Sequence, residues 1–160
     1  MTRALYPGSF DPVHIGHVSI VEAASRCFDE VVVVAMYNRE KTDGYFTLAE
    51  REAMLAETFA SLANVTTASA PGLVIQAAEA LGADVIVKGV RSGTDLDSEM
   101  QMAQTNNHVS GIDTVLVPTR PEHAFVSSRY IREIHAQGED VASMVPEPVA
   151  LRLAAKRGIS

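Results

Sequence analysis

The sequence predicts an α/β fold built on a doubly wound, five-stranded parallel sheet. One observation is the alternation along the chain, in which five short apolar runs are separated by segments whose apolar residues recur at helical spacing. The other is that runs such as EVVVVAMY over 30–37 are almost continuously apolar, as in parallel strands that are buried on both faces. Since crossovers between parallel strands are right-handed, helices should cover both faces of the sheet in a Rossmann-like arrangement.

Turn and capping residues mark where the elements begin and end. Pro7 is expected to end the first strand, because proline has no backbone N–H to donate to a neighbouring strand. Thr47 and Glu50 match a capping box, in which each side chain accepts from the other residue's backbone N–H, and so they open a helix. In order, the sequence predicts strands over 3–6, 30–37, 64–69, 84–89 and 112–118, and helices over 14–28, 47–62, 72–82, 94–109, 127–137 and 147–157.

Length, charge and cysteine content restrict the class of protein. The 160 residues suit a single domain that includes C-terminal helices from about residue 139. The net charge of -7 argues against a nucleic-acid partner, which usually requires a basic surface. A single cysteine, Cys27, cannot form an internal disulfide, and no apolar run reaches the roughly 18 residues that span a membrane. We therefore expect a cytoplasmic protein without a membrane or nucleic-acid partner.

The loop after the first strand carries the most unusual pattern, and ligands of doubly wound sheets bind beyond the carboxyl ends of the strands. It contains GSFDPVHIGH over 8–17, in which His14 and His17 lie three residues apart at a helix start. A zinc site would need a third protein ligand. A helix N-terminus favours an anion such as phosphate, with Gly8 allowing the turn to bend and Gly16 leaving the backbone open to a ligand. From the residues alone, a capped helix with two surface histidines is an equally good interpretation.

Cations follow two other strands. Lys41 lies in the loop after the second strand, where a solvated lysine is the common alternative. Lys88 closes the fourth strand, and a lysine at the end of a buried strand is costly unless it meets an anion. Arg91 could bind a polyphosphate through both arms of its guanidinium, or pair with Asp95 or Asp97 on the surface.

Hydroxyl residues open the helix after the fifth strand. Ser127 and Ser128 stand at its start, where one of them should cap the helix and the free N–H groups should favour a second phosphate. These loops hold no Ser-His-Asp set, paired carboxylates or thiol, and the chain lacks the glycine-rich dinucleotide and P-loop patterns. Imidazoles, cations and helix N-termini without a covalent nucleophile suit the positioning of phosphates and the neutralisation of their charge.

The stretch YPGSFDPVHIGH over 6–17 resembles the His-x-Gly-His or Thr-x-Gly-His signature of the nucleotidyltransferase superfamily. The whole chain resembles the bacterial phosphopantetheine adenylyltransferase family. The further motifs that match are FTLAER at 46–51, VKGVRSGTD at 87–95, EMQMA at 99–103, FVSS at 125–128 and PEPV at 146–149. The sequence departs from the family pattern at His14, where threonine is more common, over 95–100, and at Arg129, where a third serine is common.

The resemblance implies an activity. Members of the family transfer the adenylyl group of ATP to 4'-phosphopantetheine and release dephospho-coenzyme A and pyrophosphate, with Mg²⁺ as cofactor. The phosphate of the acceptor attacks the α-phosphorus of ATP in line, without a covalent intermediate. Magnesium is expected to be held mainly by the ATP phosphates, so that no metal site of protein residues is expected. The resemblance also implies a cytoplasmic homohexamer that coenzyme A inhibits.

The resemblance further implies roles for individual residues. Those expected to act on the reacting phosphates are His17, Lys41 and Arg91. Those expected to bind phosphopantetheine are Ser9, Lys41, Val74 and Lys88. Those expected to bind ATP are Ser9, Phe10, His17, Gly89, Val90, Arg91, Glu99, His123, Ala124, Phe125, Val126, Ser127, Ser128 and Arg129. Of the departures, His14 is expected to support the loop or to add a secondary phosphate contact, and Arg129 either adds a phosphate contact or, as we favour, points to solvent.

Two alternative functions remain open. A sister enzyme, such as a cytidylyltransferase or a nicotinamide mononucleotide adenylyltransferase, shares the His-x-Gly-His signature. A nucleotide-binding module that has lost catalysis would keep the fold and part of the site. Turnover with different substrates separates the first from the main hypothesis, and ATP binding without turnover indicates the second.

Overall fold

The computed structural model describes residues 1–38 and 44–158. In these ranges a single sheet is formed by β1 Arg3–Gly8, β2 Glu30–Tyr37, β3 Val65–Pro71, β4 Val85–Val90 and β5 Asp113–Pro118. The strands are parallel and lie in the order β3-β2-β1-β4-β5. The chain therefore winds outward from β1 in one direction and then in the other, which confirms the predicted doubly wound α/β fold.

Helices connect and follow the strands. They are α1 Ile15–Cys27, α2 Leu48–Phe59, α3 Val74–Ala80, α4 Gly93–Ser110, α5 Ser128–Ala136 and α6 Glu147–Arg157. Short 3-10 turns over Pro121–His123 and Ala142–Met144 precede α5 and α6. None of the helices described is long and apolar enough to cross a membrane.

The capping and stop residues explain most of these boundaries. The predicted capping box at α2 is present, with Thr47 Oγ1 accepting from the Glu50 N–H and Glu50 Oε2 accepting from the Thr47 N–H. Gly111 ends α4 in the left-handed region, at a φ of 75°, which costs glycine little. Helix α3 begins at Val74 rather than at residue 72, because Gly72 has a φ of 81° and cannot belong to a right-handed helix.

The first strand is longer than predicted. It continues through Pro7 to Gly8, and Pro7 pairs there with Val34 of β2. On its other side β1 pairs with β4 only through Ala4 and Leu5, so the missing N–H of Pro7 removes no bond to that neighbour. The early end of this pairing leaves the crevice between β1 and β4 in which the candidate site lies.

Apolar side chains fill both sides of the sheet. Because successive residues of a strand face opposite sides, Ala4 and Tyr6 join one cluster and Leu5 joins the other. The larger cluster takes in residues from α1, α2, α5 and α6, while the smaller one packs α3 against the sheet. Helix α6 contributes the buried Val149 and Leu153, so the C-terminal helix belongs to the same core.

Candidate active site

A cavity of about 430 Å³ opens beyond the carboxyl ends of β1 and β4, where the strand order reverses. Its walls come from the loop after β1 with the start of α1, from the end of β4, from α4, and from the segment between β5 and α5. Three of the loops that follow strands therefore meet at one place. This is the position at which doubly wound sheets bind their ligands.

Most of the residues selected from the sequence line this cavity. They are Ser9, Phe10, His17, Lys88, Gly89, Arg91, Glu99, His123, Val126, Ser127, Ser128 and Arg129. Val90, Ala124 and Phe125 stand beside lining residues but do not themselves line it, and the side chain of Phe125 is largely exposed to solvent. Val74 lines a separate small cavity nearby. Lys41 lies outside the described residues.

His14 and His17 form a capping box at the start of α1. Nδ1 of His14 accepts from the N–H groups of Gly16 and His17, at 3.1 and 3.4 Å. In return, Nδ1 of His17 accepts from the N–H of His14 at 3.2 Å, and the two rings stack with centroids 3.6 Å apart. Because a backbone N–H can only donate, each Nδ1 must be unprotonated, and each neutral ring carries its hydrogen on Nε2.

The surroundings keep both imidazoles neutral. Burial, followed by the charges of Arg91 and His123, lowers the pKa of His14 to about 4. Burial is also the main reason why the pKa of His17 lies well below its usual value, and His14, Arg91 and Lys88 add to the effect. His17 therefore presents a neutral Nε2–H donor to the cavity at any pH near neutrality.

The two glycines of the loop make room for aromatic rings of the loop itself. A Cβ atom on Gly16 would lie 2.9 Å from Cε1 of His14, so glycine makes room for the capping ring, and its backbone also lines the cavity. A Cβ on Gly8 would lie 3.0 Å from Cζ of Phe10, and Gly8 belongs to β1 rather than to a turn. Phe10 itself has a φ of 46°, and its buried ring packs edge-on against that of His17.

The loop after β1 is held from three sides by groups that the sequence did not single out. Arg51 of α2 donates to the carbonyl of Ser9 at 2.7 Å, and Arg132 of α5 donates to the carbonyl of Asp11 at 2.7 Å. The carboxylate of Asp11 accepts from the N–H groups of Tyr45 and Phe46, both at 2.8 Å. The backbone beside His17 is thereby fixed before any ligand binds, as pre-organised sites require.

The two cations at the end of β4 both have acidic partners. Lys88 Nζ lies 3.3 Å from a carboxylate oxygen of Glu99, which supplies the anion that a lysine at the end of a buried strand needs. Arg91 pairs with Asp95 at 3.0 Å, as one of the two alternatives from the sequence had it, and also donates to the carbonyl of Val126 at 2.7 Å. Arg91 thus ties the loop after β4 to the segment that precedes α5.

The start of α5 forms the opposite wall of the cavity. Ser127 is the N-cap, since its hydroxyl accepts from the N–H of Tyr130, while Ser128 donates to the carbonyl of Pro12. Arg129 pairs with Glu133 and its side chain is 75% exposed. His123 lines the cavity, and its buried Nδ1 has no hydrogen-bond partner in the described part of the chain.

Several residues at the cavity were not selected from the sequence as site residues, although Asp95 was named as a possible partner of Arg91. Thr119, Asp95 and Arg132 line the cavity. Arg51 supports it through its hydrogen bond to the carbonyl of Ser9. Arg51 belongs to the FTLAER motif, which was the one available signal. Arg132 belongs to no such motif. Its hydrogen bond is to the carbonyl of Asp11, 121 residues away along the chain, so no local pattern indicates it.

The fold and the site together define a class of protein. A five-stranded parallel sheet with a His-x-Gly-His loop at its switch point is the Rossmann-like nucleotidyltransferase fold. Residues 5–134 match the family model described as cytidylyltransferase-like, and the chain belongs to this family. The matched segment contains every residue that lines the cavity and ends before α6. The family supports a nucleotidyltransferase activity in general.

Proposed function

We propose that the protein transfers the adenylyl group of ATP to 4'-phosphopantetheine, giving dephospho-coenzyme A and pyrophosphate. The observation that carries the proposal is the convergence of His17, Lys88, Arg91 and the N-terminus of α5 on one cavity. These groups can donate hydrogen bonds to phosphate oxygens, and the three side chains among them are cationic or neutral donors rather than nucleophiles. The family match supports the nucleotidyl transfer, and the motifs in the sequence support this substrate pair.

The nucleotide is proposed to bind between the loop after β1 and the start of α5. His17 would donate through Nε2–H to the phosphates, and the N–H groups at the start of α5 would favour their negative charge. Arg91 also lines this cavity, and its guanidinium would be shared between Asp95 and a phosphate. The position of His123 in the lining of the cavity supports a contact of that ring with the nucleotide.

The acceptor is proposed to bind around Lys88. Lys88 and Glu99 line both the main cavity and a smaller one of about 60 Å³, whose other walls include Val74, Ile86 and Met102. A phosphate at Lys88 would replace the contact with Glu99, and the arm of the pantetheine would extend along the apolar wall. This arrangement supports the expected contacts of Val74 and Lys88 with phosphopantetheine. Lys41 is proposed to bind the same phosphate, on the strength of the resemblance alone.

The chemistry needs positioning and charge neutralisation. The phosphate of the acceptor is already anionic at neutral pH, so it can attack the α-phosphorus of ATP without a general base. The chain's residues would hold the two phosphates in line and donate to the oxygens on which charge accumulates, which is the largest catalytic contribution in reactions of this type. Pyrophosphate leaves with the electron pair of the broken P–O bond.

Magnesium is proposed as the cofactor, where it would neutralise the phosphates of ATP. In the described ranges, no group of three His, Cys, Asp or Glu side chains could hold a metal ion. The carboxylates that line the cavity, Asp95 and Glu99, are each paired with a cation of the chain. These residues fit a metal that is held mainly by the nucleotide.

We also propose a cytoplasmic homohexamer that coenzyme A inhibits at this site. Exposed apolar side chains on α4 support an assembly, since Leu96, Met100 and Met102 are at least 39% exposed and no residue of that helix is fully buried. Coenzyme A contains the pantetheine arm of the proposed product, which supports its binding in the same cavities.

A pyrophosphate-release assay with a panel of substrates tests the proposed function. ATP with Mg²⁺ and 4'-phosphopantetheine should release pyrophosphate, whereas CTP with a phosphorylated alcohol and ATP with nicotinamide mononucleotide should not. Faster release with either of the other pairs would identify a sister enzyme. Binding of ATP by calorimetry without release from any pair would identify a nucleotide-binding module.

A further inference from the structure

A chain of hydrogen bonds joins the segment before α2 to the C-terminal helix. The Tyr45 hydroxyl is hydrogen-bonded to Nδ1 of His135, and Nε2 of His135 is 2.9 Å from the carbonyl oxygen of Leu153. Because that carbonyl can only accept, Nε2 carries the hydrogen, and Nδ1 accepts from the tyrosine. All the polar atoms of the His135 ring are therefore satisfied, although the residue is buried in the core.

The same segment is attached to the loop that carries the candidate site. The backbone N–H groups of Tyr45 and Phe46 both donate to the carboxylate of Asp11. Arg132, one turn before His135 on α5, donates to the carbonyl of the same Asp11. Helix α5 thus contacts both the loop after β1 and the segment that binds it, at two points one turn apart.

The C-terminal helix α6 also contacts the segment before α2, through Lys156. Nζ of Lys156 lies 5.4 Å from the ring centroid of Tyr45 and 4.8 Å from that of Phe46, which are cation–π distances. His135, Leu153 and Lys156 all lie beyond residue 134, where the match to the family model ends. The hydrogen bond of Tyr45 thus reaches the end of the matched segment, and that of His135 extends the connection to α6, which lies outside it.

We propose that Tyr45 and His135 are positioning residues for the transfer reaction, a role that rests on the function proposed above. Neither lines the main cavity, so neither would touch a substrate there. Their hydrogen bond fixes the direction of the Tyr45 side chain, and with it the two N–H groups that hold Asp11. The position of Asp11 sets the backbone between Ser9 and His17, and a displacement of about 1 Å in such a loop can lower a rate by roughly a hundredfold.

The hydroxyl of Tyr45 contributes more to positioning than to packing. A phenylalanine at position 45 would fill nearly the same space, so the hydroxyl adds little to the apolar core. What the hydroxyl adds is a directional bond to a buried imidazole that is itself oriented by Leu153. Networks of satisfied buried polar groups specify one arrangement of the chain more than they add net stability.

Tyr45→Phe is the variant that tests the proposal, because it removes one oxygen atom and keeps the ring. We expect kcat to fall by about tenfold, within the range that misplaced reacting groups produce, while both KM values change by less than about threefold. The matched control is Tyr130→Phe on α5, a mostly exposed tyrosine whose hydroxyl makes no hydrogen bond in the described part of the chain. Arg152→Gln, which removes the ion pair between α6 and Glu57, controls for weaker attachment of α6 alone.

A double-mutant cycle with Asp11→Asn tests the route of the effect. If Tyr45 acts through Asp11, Tyr45→Phe should lower kcat in the wild-type background and leave it nearly unchanged in the Asp11→Asn background. Equal fold losses in the two backgrounds would contradict that route. A Tyr45→Phe enzyme with wild-type kcat, or one that matches Arg152→Gln in both kcat and thermal stability, would overturn the proposal.

Hydrogen–deuterium exchange separates this proposal from the function on which it rests. Tyr45→Phe should speed exchange of the Tyr45 and Phe46 N–H groups that Asp11 protects, and Tyr130→Phe should not. If the wild-type protein releases no pyrophosphate with any substrate pair, the proposed function fails, and faster exchange then supports the positioning of the loop alone. Unchanged exchange at these two amides would overturn the proposal whatever the activity of the wild type.

Discussion

His14 and His17 cap the first helix for one another, each ring accepting a backbone N–H of the other residue through Nδ1. The exchange uses one nitrogen of each imidazole for structure and leaves the other as a fixed Nε2–H donor. A single sequence motif therefore shapes the loop and supplies a neutral hydrogen-bond donor to the cavity. The capped-helix and phosphate-binding interpretations of the motif are compatible, since they use different nitrogen atoms.

Variants of His17 can separate these two uses. His17→Ala should lower turnover by about 10²- to 10³-fold, the loss seen when one donor to a developing charge is removed, and weaken ATP binding far less. His17→Asn keeps an acceptor near the position of Nδ1 and removes the Nε2–H, so it should keep most of the stability and remain as slow as alanine. Kinetics and calorimetry measure the two effects, and an asparagine variant with near-normal turnover would show that His17 serves only as a cap.

His14 should matter less for turnover than His17. His14→Thr restores a side chain that caps helices well, so a loss of less than about tenfold is expected. The comparison requires both variants in the same steady-state assay. Equal losses in His14→Thr and His17→Ala would contradict the different roles assigned to the two rings.

The lowered pKa of His14 predicts a stability that depends on pH. The folded state keeps the ring neutral down to a pKa of about 4, whereas the unfolded chain protonates it near 6.5. The unfolded state thus binds more protons between these values, and the free energy of unfolding should fall by on the order of 3 kcal/mol as the pH drops from 6.5 to 4. In His14→Asn, whose side chain caps the helix without titrating, the free energy of unfolding measured in urea should fall less across this pH range. Parallel curves for the two proteins would refute the assignment.

Lys88 is expected to act mainly in binding. Lys88→Ala removes a charge-assisted contact worth about 1.5 to 3 kcal/mol, so the KM for 4'-phosphopantetheine should rise by roughly 10- to 100-fold. The KM for ATP should change much less. Glu99→Gln removes the ion-pair partner but keeps the cation, so it should raise the KM for 4'-phosphopantetheine far less than Lys88→Ala does. An increase confined to the KM for ATP would contradict the assignment of Lys88 to 4'-phosphopantetheine.

Two glycines at helix starts should respond differently to alanine. Gly16→Ala places a methyl group 2.9 Å from the ring of His14 and should destabilise the protein by about 1 to 3 kcal/mol, as overpacking does. In Gly93→Ala the new Cβ has no atom of residues 1–38 or 44–158 within 4 Å, so the change should be neutral or stabilise by up to about 1 kcal/mol. Chemical denaturation of both variants gives the difference, and equal effects would mean that the His14 ring moves aside freely.

The sheet and most helices could be predicted because local signals agree with the final structure. The β-branched run at 30–37 is a strand with the predicted bounds, and the Thr47 and Glu50 capping box opens α2 where expected. The end of β1 was predicted too early because it depends on the neighbouring strands. Pro7 remains in β1 because the pairing of β1 with β4 stops at Leu5, so the missing N–H of Pro7 removes no bond on that side.

Most of the cavity-lining residues were accessible from motifs, but most of their partners were not. Lys88 could be recognised as a lysine in need of an anion, yet nothing local indicated that Glu99 would provide one. The roles of Arg132 and His135 depend on contacts with Asp11 and Tyr45 about a hundred residues away, and such contacts follow from how the layers pack. Sequence patterns report the local geometry of the chain, whereas these supports belong to the tertiary structure.

The central claim is nucleotidyl transfer by direct attack at the cavity between β1 and β4, and a stoichiometric reaction tests it most directly. Protein, ATP, Mg²⁺ and 4'-phosphopantetheine would be mixed, and pyrophosphate and dephospho-coenzyme A would be measured over time by coupled assay and mass spectrometry. The account predicts that the two products form in equal amounts with the wild-type protein and far more slowly with His17→Ala. Bound ATP with neither product, or equal rates for the two proteins, would contradict it.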